Sequence, residues 1–185
     1  SAAKSIVSLL IGCLVDEGKI KNLNQDIRDY LPEFKNTNGY TLRIKDLLTM
    51  SSGIDWDEGY SSLFSVTTKA YYGKSLRKLV MNLEVTSEPG KKFVYQSCDT
   101  QLLALIIEKA SGKTLSGYAS EKLWKPLGAS HVALWSLDDK DGLEKAYCCF
   151  NSTATDFARI GQMVLDSGMF NNQQIISKSY LAEAT

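Results

Sequence analysis

The chain opens with Ser1-Ala2-Ala3-Lys4, at the head of an apolar run that continues as SIVSLLIGCLVDEG to residue 18. Its apolar side chains recur at the three- and four-residue intervals of one helix face: Ile6, Leu9, Leu10, Cys13 and Leu14. Gly18 is a residue type that commonly ends a helix. The spacing therefore predicts a helix from Ser1 to Glu17, with a serine and a lysine in its first turn.

Ser1 and Lys4 have the spacing of neighbours on one face of that helix. A lysine amine so placed can take the proton of a serine hydroxyl, and the helix N-terminus favours developing negative charge. A serine nucleophile served by lysine and tyrosine needs no histidine, and the chain has a single one, His131. Taken alone, the tetrapeptide fits equally an ordinary helix start, with Ser1 as the cap and Lys4 in water.

The composition and charge of the chain indicate which kinds of binding partner it is expected to have. The chain has 185 residues, 44% of them hydrophobic, which is enough for one sizeable core or one large piece of a domain. Lys+Arg and Asp+Glu both number 21, and this balance argues against nucleic acid or an anionic membrane as the main partner. The longest apolar stretch, Ile6 to Val15, is too short to cross a bilayer. No signal peptide is visible, although a chain that begins at its nucleophile is expected to have lost its true N-terminus.

The four cysteines lie at positions 13, 98, 148 and 149. They contain no Cys-x-x-Cys pair, which makes a zinc or thioredoxin-type site improbable, and they do not form the pattern of a secreted disulfide framework. Cys13 lies on the apolar helix face, where it is expected to be a small core residue.

Local patterns beyond the first helix predict mostly further helices. The expected helices are a short one capped by Asn24, then 44–50, 75–83, 99–110 and 115–124, one from the Thr153 cap to Leu165, and a last one from Ser177. Residues 132–137 and 146–150 read as strands of a hairpin across the polar segment 138–144. Tyr95 lies in a short extended piece after the Pro89-Gly90 turn, two residues before Ser97.

Several motifs, in order along nearly the whole chain, resemble those of the β-lactamase and penicillin-binding-protein superfamily. They are Ser1-Ala2-Ala3-Lys4, Asp26-Ile27-Arg28-Asp29-Tyr30-Leu31-Pro32, Asp46-Leu47-Leu48-Thr49-Met50-Ser51-Ser52-Gly53, Tyr95-Gln96-Ser97, Lys125-Pro126-Leu127-Gly128 and Ala154-Thr155-Asp156-Phe157-Ala158-Arg159. The likeness is strongest to class C-type members, namely carboxylesterases and 6-aminohexanoate-dimer hydrolases. It implies an α/β (α+β) β-lactamase-like fold.

The resemblance also implies site residues. Ser1 would be the acylated nucleophile, Lys4 its proton partner, and Tyr95 the acid/base that serves the leaving group. Ser97, where many relatives carry Asn, would donate a hydrogen bond to Lys4 or to a substrate carbonyl, and Trp56 and Tyr60 would flank the substrate cleft. Neither a metal nor an organic cofactor is implied. The expected partner is a small-molecule amide or ester, whereas the sequence leaves the substrate and the oligomeric state undetermined.

The family's third motif, a Lys-Thr-Gly or His-x-Gly strand that supplies one oxyanion donor, has no counterpart after Tyr95. The strands that precede the nucleophile in the family are missing too. Residues 1–185 are therefore predicted to be a partial β-lactamase-like domain, its helical middle portion with few short strands and without the N- and C-terminal sheet strands.

Two alternatives remain open from the sequence. One is an N-terminal nucleophile hydrolase in which the α-amine of Ser1 is the base, although such folds need abundant strands. The other is a non-catalytic penicillin-binding or sensor domain of the same fold. The compartment is not determined, and a periplasmic or secreted location is favoured over a cytoplasmic one.

Overall fold

A computed structural model describes residues 2–35, 38–60, 62 and 65–185. Within these ranges the α-helices, in chain order, are α1 Ala2–Asp16, α2 Ile44–Leu48, α3 Val66–Tyr72, α4 Leu76–Met81, α5 Ser97–Ser111, α6 Leu115–Ala119, α7 Ala154–Leu165 and α8 Lys178–Ala184. Ile27–Asp29 forms a 3₁₀ turn, and Ser120–Trp124 continues α6 as a π-helical segment. The strands are β1 Leu134–Trp135, β2 Phe150–Asn151, β3 Met169–Phe170 and β4 Gln173–Gln174. The described part is thus rich in helices and has few short strands, as predicted.

Helices α1 and α5 pack against each other at the centre of the core. The apolar face predicted for α1 is buried, and Leu10, Ile11 and Leu14 are wholly inaccessible to solvent. Helix α5 is buried along nearly all of its length, from Ser97 to Ile107. Helix α1 carries Lys4 in its first turn, and α5 begins at Ser97. The packing of the two helices therefore fixes the relative positions of these predicted site residues.

The predicted hairpin is present, but β1 covers only two residues of the predicted strand 132–137, and β2 is displaced to Phe150–Asn151, so it shares a single residue with the predicted strand 146–150. Strands β1 and β2 are antiparallel, with Leu134 opposite Asn151, and an isolated bridge joins Leu137 to Glu144 closer to the turn. A second antiparallel pair, β3 and β4, was not predicted from the sequence. Its two turn residues, Asn171 and Asn172, have φ of 47° and 61°, the left-handed conformation of a tight hairpin turn. An Asn-Asn pair between two short segments was the signal that could have revealed it.

One helical prediction needs correction, and one helix was not predicted. The short helix expected after an Asn24 cap is a single 3₁₀ turn, and its cap is Asp26, whose side chain accepts the Arg28 N–H. Helix α3 was not predicted, yet Ser65 caps it by accepting the Thr68 N–H. A Ser three residues before a Thr is a weak capping signal, and the aromatic residues before it obscured the start.

Cys148 and Cys149 form a disulfide between adjacent residues, which the cysteine pattern did not predict. Cys149 has a φ of 61°, so the chain turns sharply at this bond. Cys13 and Cys98 are free and buried, and Cys13 is the core residue that the sequence predicted. Among the described residues, none of the helices combines the length and the apolar character needed to span a membrane.

Candidate active site

Lys4 reaches a position between two tyrosines from the first turn of α1. Its Nζ donates a 2.8 Å hydrogen bond to the backbone carbonyl of Tyr147. It also lies 4.9 Å from the centroid of the Tyr95 ring and 5.9 Å from that of Tyr147. Aromatic faces and a carbonyl oxygen both attract an ammonium group. These contacts hold the amine at the head of α1, where the resemblance places the nucleophile. Ser1 itself, and its predicted contact with Lys4, lie outside the described residues.

Tyr95 is brought to Lys4 by its neighbours in the chain. The Val94 N–H donates to the Met50 carbonyl over 2.8 Å. The buried Gln96 side chain donates to the carbonyl of Ile54 and accepts from the Ser52 hydroxyl. The segment that carries Tyr95 is thereby fixed to the turn that follows α2, while 47% of Tyr95 remains exposed. The structure thus brings together Lys4 and Tyr95, two predicted site residues that are remote in sequence.

The other three predicted site residues meet at the carboxylate of Glu58, a residue of the expected cleft-flanking loop to which the sequence assigned no separate role. Its Oε1 accepts the hydroxyl hydrogens of Ser97 and Tyr60, each over 2.6 Å. Its Oε2 accepts the Ser97 N–H over 2.8 Å and the Trp56 indole N–H over 2.7 Å. Ser97, Trp56 and Tyr60 are therefore one hydrogen-bonded cluster around a single carboxylate.

This cluster sets the protonation states of its members. Burial tends to raise the pKa of Glu58, but the hydrogen bonds from Ser97, Tyr60 and Trp56 outweigh burial, so the pKa lies below its ordinary value. The hydrogen bond to Glu58, aided by burial, raises the pKa of Tyr60 well above its usual range. Near neutral pH Glu58 is consequently ionised, and Tyr60 keeps its proton and directs it to Glu58.

Tyr147 belongs to this arrangement although the sequence did not point to it. Its hydroxyl donates to the Ala70 carbonyl over 2.8 Å, and burial raises the pKa of this phenol above its ordinary range. Its ring meets the edge of Tyr71 at 5.2 Å, and Tyr71 in turn meets Tyr60 at 6.1 Å. A row of tyrosine rings therefore connects the Lys4 anchor with the Glu58 cluster.

The backbone around Tyr147 is fixed by α5. The buried Gln101 side chain donates to the Glu144 carbonyl and accepts the Ala146 N–H, each over 3.0 Å. Since α5 also begins at Ser97, one helix positions both the Glu58 cluster and the carbonyl that holds Lys4. No local sequence pattern could have indicated Tyr147, because its contact with Lys4 joins residues that are 143 positions apart.

His131, the single histidine of the chain, makes its contacts away from Lys4 and Glu58. His131 is exposed, and its Nδ1 lies 3.3 Å from the buried carboxylate of Asp156, which also accepts the Ser130 N–H. Across the part of the chain that the structure describes, there is no group of three or more His, Cys, Asp or Glu residues that could hold a metal ion.

Comparison with known proteins gives a family match over most of the chain. The family model described as "Beta-lactamase" matches residues 1–179. Protein flp of Staphylococcus aureus strain MRSA252 is 34% identical over 143 residues, which are 76% of this chain and 28% of that protein. The 6-aminohexanoate-dimer hydrolase of Paenarthrobacter ureafaciens is 27% identical over 192 aligned residues, covering 98% of this chain and 48% of the relative.

A solved structure from Bacillus anthracis, provisionally named a 6-aminohexanoate-dimer hydrolase, superposes with a TM-score of 0.87 at 27% identity. The alignment covers 99% of this chain and 51% of the other. The chain thus spans about half the length, or less, of the proteins that it matches.

Proposed function

Because the chain belongs to the beta-lactamase family, we propose that it is the nucleophile-bearing part of a serine hydrolase that cleaves an amide or ester bond through an acyl-enzyme. The observation that carries the proposal is the position of Lys4, with Nζ 4.9 Å from the Tyr95 ring at the head of a buried helix. A surface lysine in an unrelated protein would have no reason to meet the tyrosine of the Tyr95-Gln96-Ser97 motif.

In the proposed reaction Ser1 attacks the carbonyl carbon of the substrate while Lys4, which must be in its neutral amine form, takes the hydroxyl proton. The tetrahedral intermediate collapses as the bond to the leaving amine or alcohol breaks, and Tyr95 passes a proton to that leaving group. Water then attacks the acyl-enzyme while Tyr95 takes a proton from it, and Lys4 returns its proton to the Ser1 oxygen as the bond to the acyl group breaks. The start of α1 favours the negative charge that develops at the carbonyl oxygen, and a second oxyanion donor is expected from the family's third motif.

The substrate contacts are proposed for the Glu58 side of the site. Trp56, Tyr60 and Ser97 are tied to one carboxylate, and of the three Tyr60 is exposed. Tyr60 therefore offers the preformed contact to a substrate, while the buried Trp56 and Ser97 hold the carboxylate that fixes it. Preformed contacts of this kind orient a bound substrate at little entropic cost. The proposed substrate is a small molecule with an amide or ester bond.

The test is covalent labelling by a fluorophosphonate probe, together with turnover of an activated ester, in the whole protein. Ser1→Ala should abolish both, and Lys4→Ala and Tyr95→Phe should each slow acylation by about 100-fold or more. Matched controls are Ser5→Ala, Lys92→Ala and Tyr72→Phe, whose side chains are exposed and should leave the rate unchanged. Labelling or turnover retained in Ser1→Ala would refute the assignment of the nucleophile.

The same experiment separates the two alternatives. An N-terminal nucleophile hydrolase would lose activity in Ser1→Ala but not in Lys4→Ala, because its base is the α-amine. A sensor domain would be labelled once per chain and would then release product far more slowly than it acylates. Fast steady-state turnover that requires both Ser1 and Lys4 is the result expected for the hydrolase.

A further inference from the structure

The Glu58 carboxylate is saturated by donors from the segments on either side of the candidate site. Two of the four donors come from Ser97, one from its backbone and one from its hydroxyl. The other two come from the side chains of Trp56 and Tyr60. All four distances lie between 2.6 and 2.8 Å, the range of hydrogen bonds to an ionised acceptor.

We propose that Glu58 is a positioning residue for acyl transfer, which fixes the Tyr95–Ser97 segment beside Lys4 and makes Ser97 a hydrogen-bond acceptor toward the reacting groups. This inference rests on the proposed function, because it assigns a role within that same site.

The hydrogen bond from the Ser97 backbone N–H to Glu58 explains how Glu58 positions the Tyr95–Ser97 segment. Ser97 is the first residue of α5, and its N–H would otherwise be one of the unpaired donors at a helix start. Glu58 fills that place, and negative charge is favoured at the N-terminus of a 15-residue helix. Tyr95 lies two residues earlier, so a carboxylate that holds Ser97 also restricts where Tyr95 can point.

The number of hydrogens and lone pairs on a hydroxyl explains why Ser97 acts as an acceptor. A serine hydroxyl has one hydrogen and two lone pairs. Ser97 gives its hydrogen to Glu58 Oε1. Its lone pairs are then what it can offer to other groups, so toward a neighbouring donor such as the Lys4 amine it can act only as an acceptor. The sequence-based expectation was the opposite one, in which Ser97 donates to Lys4 or to a substrate carbonyl.

A substitution at Glu58 can separate this role from simple packing. Gln has almost the same shape as Glu, but one of its two terminal atoms is an NH₂ group that cannot accept. In Glu58→Gln, the amide orientation that keeps an oxygen against the two N–H donors turns the NH₂ group toward the Ser97 and Tyr60 hydroxyls. These hydroxyls must then accept from that NH₂ group, so Ser97 loses its acceptor role and turns its own hydrogen toward other groups. Asp57→Asn is the matched control, since Asp57 is a neighbouring exposed carboxylate that accepts the Gly59 N–H.

The expected result in the whole protein is a fall in kcat of about 10- to 100-fold for Glu58→Gln, with KM changed by less than about threefold. Ser97→Ala should give a comparable fall. In the Ser97→Ala background, Glu58→Gln should lower kcat by less than about threefold further, since its effect passes through Ser97. Asp57→Asn should keep the original kcat, and Glu58→Asp, which preserves the charge, should recover part of the loss.

Two outcomes would overturn the proposal: an unchanged kcat in Glu58→Gln, or an equally large fall whether or not Ser97 is present. A double-mutant cycle on unfolding by urea measures the Glu58–Ser97 coupling without any catalytic assay. Additive effects in that cycle also count against the proposal. Coupling in unfolding together with no Ser1-dependent turnover would instead show that the proposed function has failed while the Glu58–Ser97 contact stands. Should Glu58→Gln fail to fold, Glu58→Asp in the same cycle gives the test.

Discussion

Gln101→Leu tests how the structure fixes the carbonyl that anchors Lys4. The Gln101 side chain is 1% exposed, and its two hydrogen bonds link α5 to the backbone at Glu144 and Ala146. Leucine has a similar size but neither donates nor accepts. The substitution therefore leaves one buried carbonyl and one buried N–H without these partners, directly before Tyr147.

An unsatisfied buried polar group costs about 1 to 3 kcal/mol, so two of them predict a loss of roughly 2 to 6 kcal/mol in the free energy of unfolding. The apolar gain from leucine offsets only a small part, because the polar groups around it stay buried. A typical domain has about 5 to 15 kcal/mol of stability, so the loss is a large fraction of the total.

The assay is urea or guanidinium denaturation, with the slope m compared between variants. Gln162→Leu is the control, because Gln162 is exposed on α7, where its amide donates to Asp166. A surface change of this kind should shift stability by no more than about 0.5 kcal/mol. A loss below about 1 kcal/mol in Gln101→Leu, or one equal to that of the control, would refute the argument that these two bonds are needed.

Three further predictions concern backbone, burial and cysteines. Gly53 and Gly18 have φ of 69° and 68°, but a Cβ on Gly53 would lie 2.1 Å from the Ser87 carbonyl oxygen, whereas one on Gly18 meets nothing within 4 Å. Gly18→Ala should therefore cost about 1 to 2 kcal/mol on unfolding and Gly53→Ala at least about 1 kcal/mol more, and equal costs would contradict this close approach. Burial raises the pKa of Asp99 from 3.8 to about 7. Between these values the folded state binds the proton more tightly, so stability should fall as pH rises from about 4 to 7. Asp99→Asn should flatten that dependence, as pH-resolved denaturation curves would show, and an unchanged slope would contradict it. Because Cys148–Cys149 is a disulfide and Cys13 and Cys98 are buried, a thiol reagent should label none of these four cysteines in the native protein. Cys13 and Cys98 should react after unfolding and all four after unfolding with reduction, as peptide mass spectrometry would show, and native labelling of Cys148 or Cys149 would count against the disulfide.

Local sequence determined the elements whose cause is local. The apolar spacing of residues 6–14 fixed α1, and Thr153 and Ser177 begin α7 and α8 by accepting N–H groups three residues ahead. The hairpin of β1 and β2 followed from two apolar stretches around a polar turn. These features depend on residues a few positions apart, so the local sequence is enough to predict them. The motif order also sufficed to indicate the family and to select Lys4 and Tyr95 as candidates.

Tertiary structure decided which groups meet. The Lys4 amine donates a hydrogen bond to the Tyr147 carbonyl, 143 residues away. The Ser97 hydroxyl donates one to Glu58, 39 residues away. Neither pairing can be predicted from periodicity or spacing, because a hydrogen bond between distant segments depends on how the helices pack and not on the local sequence of either segment. The sequence could offer Ser97 as a polar residue near the site, but the fold determined that its hydroxyl hydrogen faces Glu58. A side chain's donor or acceptor role is set by its partners, and only the packing of α1, α5 and the 50–60 segment supplies them.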